Sequence, residues 1–231
     1  MTTKLFDFDA DFGLNYDKIV RSAFFGYEQL FNMTTVWLKS RLGSDARVLV
    51  VGCGSGMELI TFGEQMLNWH LTGIDPSKQM VGISRERVEQ HGLSNRVQVI
   101  QGYAGDLPES EIYDAATLIL VFHFVPDEAG KLALLKDVAS RLRPGGTLIL
   151  LSPHGDPSRP EDQEGFAVWK SFMISNGMSQ AMADQVEKQA IAMGQFTPTS
   201  LSLALMEQAG FTDVKLFYHA FVTYGWIARK G

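Results

Sequence analysis

Apolar residues recur along the chain in two alternating rhythms. Between residues 14 and 42, Ile19, Phe24, Leu30, Phe31, Val36, Trp37 and Leu38 fall at helical spacing, with Gly26 as a break. Arg47–Val51 is a short apolar run of strand length. Met57–Asn68 returns to helical spacing, with Leu59, Ile60, Met66 and Leu67 on one side. His70–Asp75 reads as a second strand, and Pro76-Ser77 then opens a helix with Ser77 as its candidate cap. Arg96–Gln101 alternates strictly and is a third strand; Tyr113–Phe122 is a long apolar fourth. Asp127 caps a helix whose Leu132, Leu135, Val138 and Leu142 share one stripe. Pro144-Gly145-Gly146 ends it, and Thr147–Leu151 is a fifth strand.

Strands alternating with helices imply an α/β fold, a doubly wound, mostly parallel sheet covered on both faces. The end of the chain departs from that rule. After a helix over Thr199–Gln208, Phe211–Tyr218 and Phe221–Arg229 are two strands with almost nothing between them, and such strands pair only antiparallel. Two further helices, rich in methionine (Met173, Met178, Met182, Met193), form an insertion after the fifth strand; its opening DPSRPEDQEG is polar, and the charge run RPEDQE within it reads as a solvated loop. The chain is therefore expected to be one domain over 1–231, with a helical cap over 1–44 and a helical lid over 153–196.

Composition narrows the class. A chain of 231 residues buries roughly 70–75% of the surface its unfolded form exposes. The single cysteine, Cys53, excludes an internal disulfide, and the acidic, aromatic start MTTKLFDFDADFG does not read as a cleavable leader. A cytoplasmic protein is expected. No apolar run approaches the ~20 residues of a membrane helix. Twenty basic against 26 acidic residues leave a net charge of −6, which argues against broad contact with a nucleic-acid backbone.

The candidate chemistry begins at VLVVGCGSGMELI. Gly52, Gly54 and Gly56 follow a buried strand, at the strand end where open parallel sheets bind ligands. Without Cβ atoms they let a ligand touch the main chain. A dinucleotide site would want glycine where Met57 stands, so a nucleoside without phosphates fits better. Asp75 ends the second strand 23 positions after Gly52, near the ~20-residue offset at which a carboxylate reaches a ribose. Tyr103, Ala104 and Asp106, in QGYAGDLP, lie where they would flank an adenine.

These residues, with LVFHFVPD, LRPGG and EQAGF in the same order, resemble the class I S-adenosylmethionine-dependent methyltransferases over about residues 46–230. The resemblance implies a seven-stranded sheet with an antiparallel last strand. It implies S-adenosyl-L-methionine as cofactor, with Gly52, Gly54 and Gly56 under its methionine part, Asp75 and Pro76 at the ribose, Tyr103 and Ala104 at the adenine, and Leu120 beside the methionine moiety. YDKIVRSAFFGYEQL and KLFYHAFVTYGWIARK are similar to the carboxy-S-adenosylmethionine synthases that serve wobble-uridine modification of tRNA. That likeness implies a cofactor contact for Tyr27 and a homodimer. Those synthases meet their cofactor's extra carboxylate with an arginine of the inserted segment. Residues 161–195 contain no arginine, and Lys170 and Lys188, the nearest cations, lack its planar fork. The reading is a plain methyltransferase on that scaffold.

Methyl transfer needs alignment and exclusion of water more than acid or base. Aromatic faces favour the positive sulfur, and Tyr16, Phe24, Phe25, Tyr27 and Phe122 are candidates. His123, just past the fourth strand, is the candidate catalytic base, with His154 second and His219 structural. No ligand spacing points to a metal. The methionines of the lid hint at an apolar small-molecule acceptor. Against this leading reading stand a synthase-like enzyme, a non-catalytic cofactor-binding regulator, and a nicotinamide-dependent oxidoreductase, which Met57 and the terminal strand pair disfavour.

Overall fold

The computed structural model describes residue 9 and residues 11–231; the side chains of residues 11–16 lie outside that description, and Tyr16 with them. In chain order the elements are α1 (Asp11–Ala23), α2 (Tyr27–Lys39), β1 (Arg47–Val51), α3 (Met57–Gln65), β2 (His70–Asp75), α4 (Lys78–Gln90), β3 (Val97–Gln101), β4 (Tyr113–Ile119), α5 (Glu128–Ser140), β5 (Leu142–Pro153), α6 (Pro160–Ser175), α7 (Gln180–Ala192), α8 (Thr199–Gln208), β6 (Phe211–Ala220) and β7 (Thr223–Lys230).

The strands form one seven-stranded sheet in the order β3-β2-β1-β4-β5-β7-β6. β1 pairs in parallel with β2 and β4, placing Val48 beside Leu71 on one side and Ala115 on the other. β7 alone runs antiparallel, setting Trp226 between Leu150 of β5 and Leu216 of β6. The apolar run of β1 is continuous because both faces are covered. Val48 and Val50 pack with Leu38, Leu59 and Phe62 under α2 and α3. Leu49 and Val51 pack with Leu135, Val138 and Leu205 under α5 and α8.

Several boundaries differ from the sequence reading. α3 stops at Gln65, because Met66 leaves the helical region and starts the turn to Trp69. The fourth strand ends at Ile119, since Leu120 takes a left-handed φ of 58°. α5 closes at Ser140, and Pro144-Gly145-Gly146 belongs to β5, bulged against β4. Phe221 also takes a left-handed φ, 53°, and turns the chain between β6 and β7. The stretch RPEDQE is no loop: Pro160 starts α6, with Glu161 and Asp162 in its first turn, where carboxylates meet the helix dipole favourably.

The strand order reverses between β1 and β4, so the carboxyl ends of those strands bound the crevice. The N-terminal helices and the insertion close over it. Trp169 of α6 donates its indole N–H to the Ala23 carbonyl at 2.7 Å, tying the insertion to α1. No helix among the described residues is long and apolar enough to cross a membrane.

Candidate active site

The turn after β1 hangs on β2: the amides of Gly52 and Cys53 both donate to the Ile74 carbonyl, at 2.7 and 3.1 Å. Gly52 has φ 66°, and a Cβ there would lie 2.4 Å from Val121 Cγ2, so packing against the end of β4 demands glycine. At Gly54, φ 51°, a Cβ would meet nothing nearer than the Gly52 carbonyl at 4.0 Å. Its bare face opens into free space, which is what a close-lying ligand requires. Gly56 caps α3 in the left-handed region with no side-chain help.

Asp75 sits beside this turn. Its Oδ2 accepts the Gly54 amide at 2.9 Å and its Oδ1 the Ser77 amide at 2.9 Å. Burial raises its pKa, partly opposed by those two amides. Pro76 is exposed next to it, and the Asp75 carbonyl accepts from Gly102 at 3.0 Å, fastening the end of β3. Tyr103 stands 67% exposed while Ala104 is buried beneath it, and Asp106 holds the turn by accepting the Tyr103 amide at 2.8 Å. Asp75, Pro76, Tyr103 and Ala104 thus gather at the ends of β2 and β3.

Two small cavities continue the crevice over β1 and β4. One, of about 20 Å³, is lined by Tyr27, Phe31, the residues Gly52 to Ser55, Glu58, Ile119 and Leu120. The other, of about 40 Å³, is mostly apolar and is walled by α1 (Ile19, Val20, Ala23, Phe24), by Trp169, Val186, Ala190 and Phe196 of the insertion, and by Leu120 and His123. Leu120 is their common wall, held in its left-handed conformation by a hydrogen bond from its amide N–H to the Leu151 carbonyl at 2.7 Å. Sparsely populated backbone of this kind collects at functional sites. Both cavities fall far below the ~300 Å³ usual for a small-molecule pocket. The cap covers them: Asp17 of α1 accepts from Ser55 Oγ at 2.9 Å and pairs with Arg87 at 2.8 Å, and Asp9 accepts from Ser77 Oγ at 2.6 Å.

His123 is buried on the rim of the larger cavity, its Nδ1 3.1 Å from Ser152 Oγ. Burial, then the neighbouring His154 and Lys131, press its pKa down to about 3. The imidazole is therefore neutral at pH 7 and a weaker base than the sequence reading expected. His154 is held at both ring nitrogens, by the Ser152 carbonyl at 2.6 Å and Ser202 Oγ at 3.1 Å, and lines a separate polar cleft. His219 faces the Phe221 carbonyl at 3.0 Å and stacks on Tyr224.

Other candidates fall away from the crevice. Phe122 packs on the opposite face of the sheet, and Phe25 lies against Phe172 and Phe221. None of the four methionines noted in the insertion lines either cavity: Met173 and Met178 are core, Met182 and Met193 exposed. Lys170 is bound within the lid by Glu187 at 2.6 Å and Asp184 at 3.3 Å. The structure also adds two residues that the sequence reading missed. Gln195 is 4% exposed and lines the larger cavity, and Glu58 is 5% exposed and lines the smaller one; among the described residues neither Gln195 Nε2 nor Glu58 Oε1 has a hydrogen-bond partner. A polar residue beside an apolar helix stretch was their only signal, and surface positions give the same one.

Residues 48–146 match a protein family described as a methyltransferase domain. The chain is 24% identical over 230 residues to the carboxy-S-adenosyl-L-methionine synthase of Alteromonas mediterranea, covering 97% of this chain and 93% of that one. It is 28% identical over 214 residues to the demethylmenaquinone methyltransferase of Bacillus velezensis, covering 90% and 87%. Its fold is shared with an O-methyltransferase family protein from Burkholderia thailandensis, at a TM-score of 0.64 and 15% identity, over 95% of this chain and 60% of the other. The bare, open face of Gly54 and the strand-end carboxylate of Asp75 fit the cofactor these matches imply. Residues 48–146 are thus matched as a methyltransferase domain, and the chain as a whole is similar in sequence and fold to S-adenosylmethionine-dependent methyltransferases.

Proposed function

We propose that this enzyme methylates a small, apolar, planar acceptor held between α1 and the inserted helices. The observation that carries the reading is the pair of cavities sharing the Leu120 wall: one under the glycine turn, the other apolar with His123 and Gln195 as its polar points. When bound, the cofactor supplies an activated methyl group on a positive sulfur. In this reading Gly52, Gly54, Gly56 and Tyr27 hold its methionine end, Asp75 and Pro76 its ribose, and Tyr103 and Ala104 its adenine. Leu120 sets the line between donor and acceptor. Trp169 and Phe196 exclude water.

His123 is too weak a base to take a proton from an alcohol. It serves better as a hydrogen-bonding group that orients an acceptor already ionised at neutral pH, such as a phenol whose ring carries electron-withdrawing groups. A relative that acts on demethylmenaquinone supports a ring of that kind. Cap 1–44 and lid 153–196 enclose the pair. We place the enzyme in the cytoplasm, acting on free small molecules, without direct nucleic-acid contact, and as a homodimer.

Incubation with S-adenosylmethionine and separate hydroquinones, phenols and polar sugars tests this, with S-adenosylhomocysteine release as the readout. Methylated product from the planar apolar acceptors alone is expected. Product from the sugars alone overturns the assignment.

A second reading, a carboxy-S-adenosylmethionine synthase, draws support from the relative matched over 97% of the chain. Against it, neither cavity is lined by arginine or lysine among the described residues. Mass spectrometry of the cofactor retained on purification separates the two: a carboxylated species favours the synthase.

A further inference from the structure

Most buried charged groups among the described residues have an evident partner. Asp75 accepts two backbone amides, Arg141 donates to the carbonyls of Gly105 and Leu107, and Lys131 to that of Val125. Glu58 does not. It is the second residue of α3, 5% exposed, with no ion pair and no hydrogen bond to Oε1 among the described residues. The Thr117 hydroxyl on β4 lies beside the carboxyl and offsets a little of its burial, but it leaves Oε1 without a hydrogen bond among the described residues. The side chain lines the small cavity with Tyr27, Gly52 and Gly54.

A buried polar group without a partner is costly, and such a group persists where a ligand completes it. The first turn of α3 favours negative charge. The titratable groups that share the cavity, the Tyr27 hydroxyl and the Cys53 thiol, carry no positive charge, and Cys53 is itself held protonated by burial. Asp75 beyond them is a second acid. The surroundings therefore leave room for one kind of complement, a cation bearing N–H donors.

We propose that Glu58 receives the α-ammonium group of the cofactor's amino-acid part. This rests on the reading that the glycine turn holds that part. Of the cofactor's groups only the ammonium offers both positive charge and three donors; the sulfonium has charge and no donor. Burial holds the free Glu58 carboxyl at a pKa of about 8, so it waits largely protonated and gives up its proton as the ammonium arrives. Specificity for ligands with an intact amino-acid part follows.

Calorimetry with three ligands tests this on the whole chain. They are S-adenosylmethionine, S-adenosylhomocysteine, which has the ammonium but no sulfonium, and 5′-methylthioadenosine, which has neither. Glu58→Gln is expected to weaken the first two by about 30-fold or more, the low end of the loss on removing one partner of a buried charge pair, and to leave the third within twofold. Glu58→Met, with no polar atom left to orphan, should show the same split, so that a failure of one variant to fold does not hide the answer. Unchanged binding of S-adenosylhomocysteine overturns the assignment, as does equal weakening of all three. Loss of S-adenosylmethionine alone transfers the role to the sulfonium and also overturns it. If Asp75→Ala abolishes binding of all three while Glu58→Gln changes none, only the Glu58 assignment falls. If the wild-type chain binds none, the reading of the whole site falls with it.

Discussion

Asp75 Oδ2 accepts the Gly54 amide at 2.9 Å, so the carboxylate assigned to a ribose also knits the glycine turn to the end of β2. Its second oxygen does the same for the Ser77 amide at the start of α4. One side chain thus shapes the site and fills part of it. Asp75→Ala should weaken S-adenosylhomocysteine binding at least tenfold. By freeing two amides it should also lower stability by about 1–3 kcal/mol. Asp75→Asn keeps an acceptor and should fall between. Calorimetry with thermal melting checks both; unchanged affinity in a folded Asp75→Ala removes the ribose assignment.

Gly52 and Gly54 are adjacent in role and opposite in cause. A methyl at Gly52 collides with Val121, whereas a methyl at Gly54 enters open space. Gly52→Ala should chiefly destabilise, by about 1–3 kcal/mol. Gly54→Ala should chiefly lose cofactor affinity, with a smaller drop in melting temperature from its left-handed φ. The reverse ordering would place the cofactor elsewhere.

His123 and Gln195 are polar points in the lining of the larger cavity, the one proposed for the acceptor. Gln195→Leu should raise the acceptor KM severalfold and leave S-adenosylhomocysteine affinity unchanged. His123→Ala should slow turnover more than it weakens cofactor binding. Because His123 stays neutral down to about pH 3, wild-type turnover should show no imidazole titration between pH 6 and 8. Turnover in His123→Ala equal to wild type would leave the residue a structural part.

Stability should fall on acidification and for a stated reason. His123 and His154 have pKa values pressed to about 3 and about 4, below the ordinary ~6.5. The unfolded chain binds their protons first, so stability is complete above pH 6.5 and is lost as pH falls toward those values. Glu58 works in the opposite direction. Its pKa, raised to about 8, gives a contribution present below the ordinary ~4.3 and lost as pH rises toward 8. Glu58→Gln without ligand should therefore gain stability over wild type progressively from pH 5 to pH 8. A constant difference in melting temperature across that range would refute the buried, uncompensated carboxyl.

The strand β1, the glycine turn, Asp75 at the end of β2 and the antiparallel return of β7 are all set by short-range pattern. Alternation and helical period act within a few residues, and glycine conformation acts within one, so the sequence alone determined the sheet, the turn and the cofactor class. What fills the crevice did not follow from any such rule. Leu120 became a wall between two cavities only because its amide meets Leu151 across the sheet. Glu58 Oε1 and Gln195 Nε2 became buried atoms without a hydrogen bond among the described residues only because α2, α1 and the insertion close over them, with Trp169 reaching Ala23 across 146 positions of chain. Side-chain burial and pairing depend on contacts between segments far apart in sequence, and those the tertiary structure alone decided.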